Sequence, residues 1–164
     1  MSASKGLFKK YPNAIFIETG SCIGDGIQQA LDEGFEEIYS VELLPLNYIC
    51  CSNRFKDVPE VTLVYGDSVK ALEGMLNRLK VPATFWLDAH NGAESTPLLQ
   101  ELEVIKRHHI KTHTILIDDL RDWKVKYHGF DTEILKKKLL EINPNYKISL
   151  EEGYVPNDIL AATI

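Results

Sequence analysis

Apolar runs of strand length recur along the chain at about residues 14–19 (AIFIET), 37–42 (EIYSVE), 61–66 (VTLVYG), 83–88 (ATFWLD) and 113–118 (HTILID). Each is apolar at successive positions rather than alternate ones, which suits strands covered on both faces in the middle of a parallel sheet. Between them the apolar residues recur at three-or-four spacing. Ile27, Ala30 and Leu31, then Leu46, Ile49 and Cys50, then Val69, Leu72, Leu76 and Leu79, and lastly Leu98, Leu102 and Ile105 each mark the buried stripe of a helix. Start and stop signals agree with those stripes. Pro45 and Pro97 suit the first helical position, Thr96 and Ser68 suit caps, and Gly34 suits the left-handed residue that ends a helix. Strand and helix alternating in this way predict an α/β fold, a doubly wound three-layer sandwich with right-handed crossovers.

The last third departs from that rhythm. After a helix predicted over 131–142 come two strand patterns, YKISLE and DILAATI, joined by EGYVPN. That connection is too short for a helical crossover, so the two strands are antiparallel neighbours. The expected sheet therefore has seven strands, mostly parallel, with a C-terminal antiparallel hairpin.

Composition narrows the class. A chain of 164 residues, 45% of them hydrophobic, suits a single domain spanning 1–164. No apolar run of membrane-spanning length and no signal-peptide pattern appears, so a soluble, cytoplasmic protein with no membrane partner is expected. Cys22, Cys50 and Cys51 form neither an even disulfide framework nor a zinc pattern and are expected to be reduced and structural. The net charge of −6 works against a nucleic-acid partner.

Candidate chemistry gathers where the strands end. The first strand runs into IFIETGSCIGDGIQQAL, an apolar run that closes on Glu18, turns through glycines and reopens as a helix. Glycines cost the most backbone entropy, so several together imply that a ligand lies against the main chain. Glu42 closes the second strand, where Rossmann-like folds place an acid that accepts ribose hydroxyls, and GDS (66–68) follows the third. Asp88 ends the fourth strand with His90 two residues on, and Asp118 and Asp119 end the fifth. Three carboxylates there repel one another unless a cation or proton joins them, and a hard divalent ion, most simply Mg²⁺, resolves this. The alternatives are that Asp118 or Asp119 caps a turn and that Asp88 meets a cofactor amine through water. His108, His109 and His113 read as structural, two complementing a helix end and one starting a strand. Trp86 reads as core, whereas Trp123, Arg121 and Tyr127 are candidates for an acceptor pocket.

Five parallel strands with a terminal hairpin, together with ETGSCIG, Glu42 and GDS, resemble the class I (Rossmann-like) S-adenosylmethionine-dependent methyltransferases. The resemblance runs from about Ala14 to the C-terminus. It implies a cofactor site built from Glu18, Gly20, Ser21, Cys22, Gly24, Glu42, Leu43, Asp67, Ser68 and Asp88, with Asp67 in reach of the adenine amine. Cys22 stands where the family pattern has its middle glycine, and Gly26 adds room at the helix start. An NAD-binding protein is the competitor, but its G-x-G-x-x-G spacing does not match G-S-C-I-G-D-G.

The segment DAHNGAEST with the later Asp118–Asp119 pair resembles the macrocin-type metal-dependent O-methyltransferases, keeping Asp88, Ser95 and Thr96 but with His90 in place of the second acid. That resemblance implies Mg²⁺ on Asp88, Asp118 and Asp119, and His90 as general base or further ligand. Small bacterial and phage-type proteins with an ETG…GDGI loop and an LDAH strand end are similar as well. The expected function is methyl transfer from S-adenosylmethionine to a hydroxyl of a small molecule or sugar, with Asp88 and His90 catalytic. The acceptor site is expected in the loops around 90–96 and 120–130 or from a second subunit of a homodimer. A cofactor-binding module without turnover and an interaction protein with an inherited fold remain as alternatives.

Overall fold

The computed structural model describes residues 3–90, 96–125 and 131–164. After a short 3-10 turn at Phe8–Lys10, strands and helices alternate: β1 (Ile15–Thr19), α1 (Asp25–Asp32), β2 (Glu37–Glu42), α2 (Pro45–Arg54), β3 (Val61–Tyr65), α3 (Ser68–Leu76), β4 (Ala83–Leu87), α4 (Leu98–Arg107) and β5 (Thr114–Ile117). Then come α5 (Leu120–Val125), α6 (Thr132–Ile142), β6 (Lys147–Glu151) and β7 (Ile159–Thr163). The seven strands lie in the order β3-β2-β1-β4-β5-β7-β6, parallel except that β7 runs antiparallel to both β5 and β6. This is the expected fold class.

Strand alternation divides the core between the two faces of the sheet. Ile15, Ile17, Phe85, Leu87, Ile115 and Ile117 pack on one face with Leu72 and Leu76 of α3, Leu102 and Ile105 of α4, and Leu135 and Leu139 of α6. Phe16, Trp86 and Leu116, one residue out of phase, pack on the other with Ile27 and Ala30 of α1 and Cys51 of α2. Leu7 and Phe8 close that second layer, the Phe8 ring 4.8 Å from Phe16 and 5.1 Å from Trp86. Because β1 pairs with both β2 and β4, the chain reverses its direction of winding there, and the crevice above that point is where open α/β sheets bind ligands.

Several local expectations need correction. β3 is an edge strand and only half buried, since it pairs with β2 alone. Asp67, not Ser68, caps α3: its carboxylate accepts from Lys70 N–H at 3.0 Å, and Ser68 is the first helical residue. Thr96 Oγ1 accepts from Leu98 N–H at 3.1 Å, although Pro97 stands just before the first helical residue instead of at it. Trp123 belongs to α5 and not to a loop.

The histidines at the end of α4 also differ from expectation. His113 is fully buried and His108 nearly so. His113 Nδ1 accepts the Ala83 N–H at 3.1 Å, so its proton sits on Nε2, which donates to His108 Nδ1 at 2.8 Å. The chain of bonds needs both rings neutral, and burial supports it by lowering both pKa values, that of His113 to about 4. His108 therefore does not complement the helix dipole as a cation, while His113 stands immediately before β5, close to the strand start expected for it.

A depressed histidine pKa means that the folded state binds the proton less tightly than the unfolded chain. The contribution of His113 is full above about pH 6.5 and is lost as pH falls toward about 4. In urea unfolding, the stability difference between the parent and His113→Asn should accordingly shrink by roughly 3 kcal/mol between pH 7 and pH 4. A difference that stays constant with pH contradicts the buried neutral pair.

Candidate active site

The loop after β1 is shaped by the end of β2. Gly20 and Ser21 N–H both donate to Val41 C=O, at 2.9 and 3.2 Å. Glu42 Oε2 accepts from Cys22 N–H at 2.8 Å and Oε1 from Leu44 N–H at 2.7 Å, so one carboxylate ties two turns together. Two of these glycines are required by the protein's own packing. Gly20 has φ +87° and a Cβ there would lie 2.9 Å from Asp88 C=O, while one on Gly24, also at φ +87°, would lie 2.4 Å from the Phe55 ring. Cys22 adopts the left-handed region with φ +48° and is exposed, not structural, whereas Cys51 is buried and donates to Cys22 C=O. Beneath the loop, Ser21 Oγ lies 2.6 Å from Ser40 Oγ, which donates to Glu18 Oε2 at 2.5 Å. Burial lifts the Glu18 pKa to about 8, partly offset by that hydroxyl.

Above these turns lies a cavity of about 1000 Å³ over the carboxyl ends of the parallel strands. One side is formed by Glu18, Gly20, Ser21, Cys22, Glu42 and the exposed Leu43, with Asp67 and Ser68 from the start of α3. The other is formed by Asp88, His90, Asp118 and Asp119. Gly24 does not line it. Ser95 and Tyr127 lie outside the described residues, as does the side chain of Trp123.

The carboxylates on the far side crowd one another. Burial, then Asp118, Asp119 and Glu18, pushes the Asp88 pKa up to about 9. Burial and Asp119 push Asp118 up to about 7, against the Asp119 N–H that donates to it at 2.8 Å and the charge of Arg121. Asp119 goes the other way: His90 first, then Arg121, holds it below the usual range. Its Oδ2 is 3.4 Å from His90 Nε2 and its Oδ1 is 2.6 Å from Arg121 Nη2.

The three acids named from the sequence fall into two overlapping groups of candidate ligand atoms: Asp88, His90 and Asp119, and Asp118, Asp119 and Asp158, each within 4.8 Å. Asp158, just before β7, escaped the sequence reading; only the placement of β7 beside β5 brings it here. Glu101 escaped as well, although it falls on the same helical face as Leu98, Leu102 and Ile105. It is fully buried, neither oxygen has a partner in full hydrogen-bond geometry among the described residues, and burial lifts its pKa to about 7, with the Ser68 and Thr19 hydroxyls close enough to work against the shift.

No family model and no curated protein sequence matches the chain. Solved structures share its fold. The O-methyltransferase from Bacillus cereus in complex with SAH is 12% identical with a TM-score of 0.69, over 98% of this chain and 78% of that one. The SAH-bound Podospora anserina methyltransferase PaMTH1 is 13% identical with a TM-score of 0.66, over 94% and 73%. The methyltransferase domain of the bacterial CtHen1 is 13% identical with a TM-score of 0.63, over 97% and 94%. The chain thus has the class I methyltransferase fold.

Two substitutions separate backbone strain from contact in the loop. Gly34 has φ +96° with open space around it, so Gly34→Ala carries strain alone, about 1 kcal/mol. Gly20→Ala adds the collision with Asp88 C=O and should cost roughly 1–3 kcal/mol more in urea unfolding. Equal losses would show that the loop stands clear of β4.

Proposed function

We propose that the chain is an S-adenosylmethionine-dependent methyltransferase acting on a hydroxyl group of a small molecule or sugar, assisted by a divalent ion. The observation that carries this reading is one cavity, at the reversal point of a methyltransferase-type sheet, with Glu42 on one side and Asp88, His90 and Asp119 on the other. The cofactor fits the residues present. Each Glu42 oxygen has accepted one backbone N–H, and a carboxylate offers about four lone-pair sites, so capacity remains for two ribose hydroxyls. Asp67 stands at the same side of the cavity for the adenine amine. About 1000 Å³ leaves room for a small acceptor beside the cofactor.

A divalent ion fits as well. Asp88 and Asp118 are pushed toward their protonated forms by burial and by neighbouring carboxylates, and a hard cation with oxygen ligands relieves that crowding. Asp88 and Asp119 would hold it, with Asp118 behind them. The cofactor supplies an electrophilic methyl group on a sulfonium centre, and the chain supplies position and a base. His90 serves as that base. Its Nε2 faces Asp119, which orients the ring, and the imidazole would take the hydroxyl proton.

Calorimetric titration with S-adenosylmethionine and S-adenosylhomocysteine, with Mg²⁺ and with chelator, tests the reading. Micromolar binding is expected, weakened roughly tenfold or more in Glu42→Ala. No binding of either ligand would sink the proposal. With an acceptor in hand, His90→Asn should lower turnover by about 10²–10⁴ while leaving cofactor and Mg²⁺ affinity near the parent's. Loss of Mg²⁺ affinity instead would make His90 a ligand and not the base.

A further inference from the structure

Arg121 is the cation that the fold itself brings to the acidic cluster. α5 begins immediately after Asp119, and its first turn is tied to the start of β7: Leu120 N–H donates to Asp158 C=O at 2.9 Å and Arg121 N–H donates to Asp158 Oδ1 at 3.0 Å. The guanidinium then uses both arms of its fork. Nη1 pairs with Asp158 Oδ2, whose residue is 1% exposed, and Nη2 pairs with Asp119 Oδ1 at 2.6 Å. Its Cζ also lies 5.4 Å over the ring of Tyr154, in the β6–β7 connection. The two pairs differ in how firmly they are held. Asp158 is joined to the Arg121 segment through main chain and side chain, whereas Asp119 meets Arg121 only through the outer arm of the fork.

Asp119 is also the residue shared by both groups of candidate ligand atoms. Any divalent ion in either group meets a carboxylate already engaged at both oxygens, Oδ1 by the Arg121 guanidinium and Oδ2 by the His90 ring. Like charges so close in a partly buried site repel strongly. We propose that Arg121 is the built-in counter-ion of this cluster, and that a divalent ion gains Asp119 only by displacing Arg121 from it, the guanidinium staying on Asp158. The inference rests on the metal reading above. Its consequence is a weakly held, exchangeable ion, because part of the binding free energy is spent in separating an existing ion pair.

Titration with Mn²⁺ alone, followed by the electron paramagnetic resonance of the free ion at constant ionic strength and pH 7.5, tests this on the intact chain. Arg121→Gln should bind Mn²⁺ roughly tenfold more tightly than the parent, and Arg121→Lys, which keeps the charge, should stay near the parent. Parent and Arg121→Gln binding with equal affinity, or the variant binding more weakly, would overturn the proposal and leave the metal reading standing. Binding by neither would overturn both. Arg121→Gln leaves Asp158 buried without its partner, so circular dichroism checks its fold. Should it fail, Arg121→Gln with Asp158→Asn removes the stranded charge but keeps Asp88, His90 and Asp119, and Asp158→Asn alone is its reference because Asp158 is itself a candidate ligand. The double variant is expected to bind more tightly than Asp158→Asn, and no gain over it would overturn the proposal.

Discussion

Parallel strands deliver their last residues to one edge of the sheet, and in this chain those residues are acids. Glu18 is the next-to-last residue of β1, Glu42 ends β2, Asp88 and Asp118 follow β4 and β5, and Asp158 joins them from just before the antiparallel β7. Mutual repulsion in a half-buried crevice is the constraint that the surrounding structure answers. It is met differently at each strand. Glu18 is buried, accepts a hydroxyl from Ser40 and is pushed toward its neutral form. Glu42 accepts two backbone N–H groups, Asp119 faces His90 and Arg121, and Asp158 pairs with Arg121. Asp88 and Asp118 are shifted upward, in both cases first by burial and then by neighbouring carboxylates.

This division gives the cavity two chemical characters. On the β1–β2–β3 side two acids hold the backbone: Glu42 ties the loop after β1 to the turn after β2, and Asp67 caps α3. Such groups present lone pairs in positions set by the main chain, which suits recognition of a ligand with fixed hydroxyls. On the β4–β5–β7 side Asp119 is held by the side chains of His90 and Arg121, which exchange partners more readily than backbone does. The proposed exchange of an ion and a proton would call for that mobility of partnership.

The sheet was legible in the sequence because the strands repeat one period and the helices another, and apolar position alone separates them. Burial of β3 was not legible, since a run such as VTLVY reads the same in the middle of a sheet and at its edge; strand order decides. Glu42, Asp88, Asp118 and Asp119 could be placed because each directly ends an apolar run. Asp158 could not, because it reaches the cluster through a strand that returns from the far end of the chain and inserts beside β5. Glu101 was visible as an acid on a helix's apolar face, but only packing reveals that its carboxylate has no partner in full hydrogen-bond geometry among the described residues.

The glycines show the limit most clearly. A row of them after a strand announces close approach, but the sequence does not name what approaches. Here Asp88 C=O closes on Gly20 and the Phe55 ring on Gly24, so both positions are occupied by the protein before any ligand arrives. That also explains how Cys22 is accommodated where the family pattern has glycine. Its N–H bonds to Glu42 and its side chain is exposed, so the turn is held by a carboxylate on the next strand and no backbone or ring atom of the core has to yield to its Cβ. A loop pinned in this way depends less on glycine at its centre than on the acid that closes β2. Glu42 therefore sets the shape of the loop, and the ribose recognition proposed for it would draw on the same carboxylate.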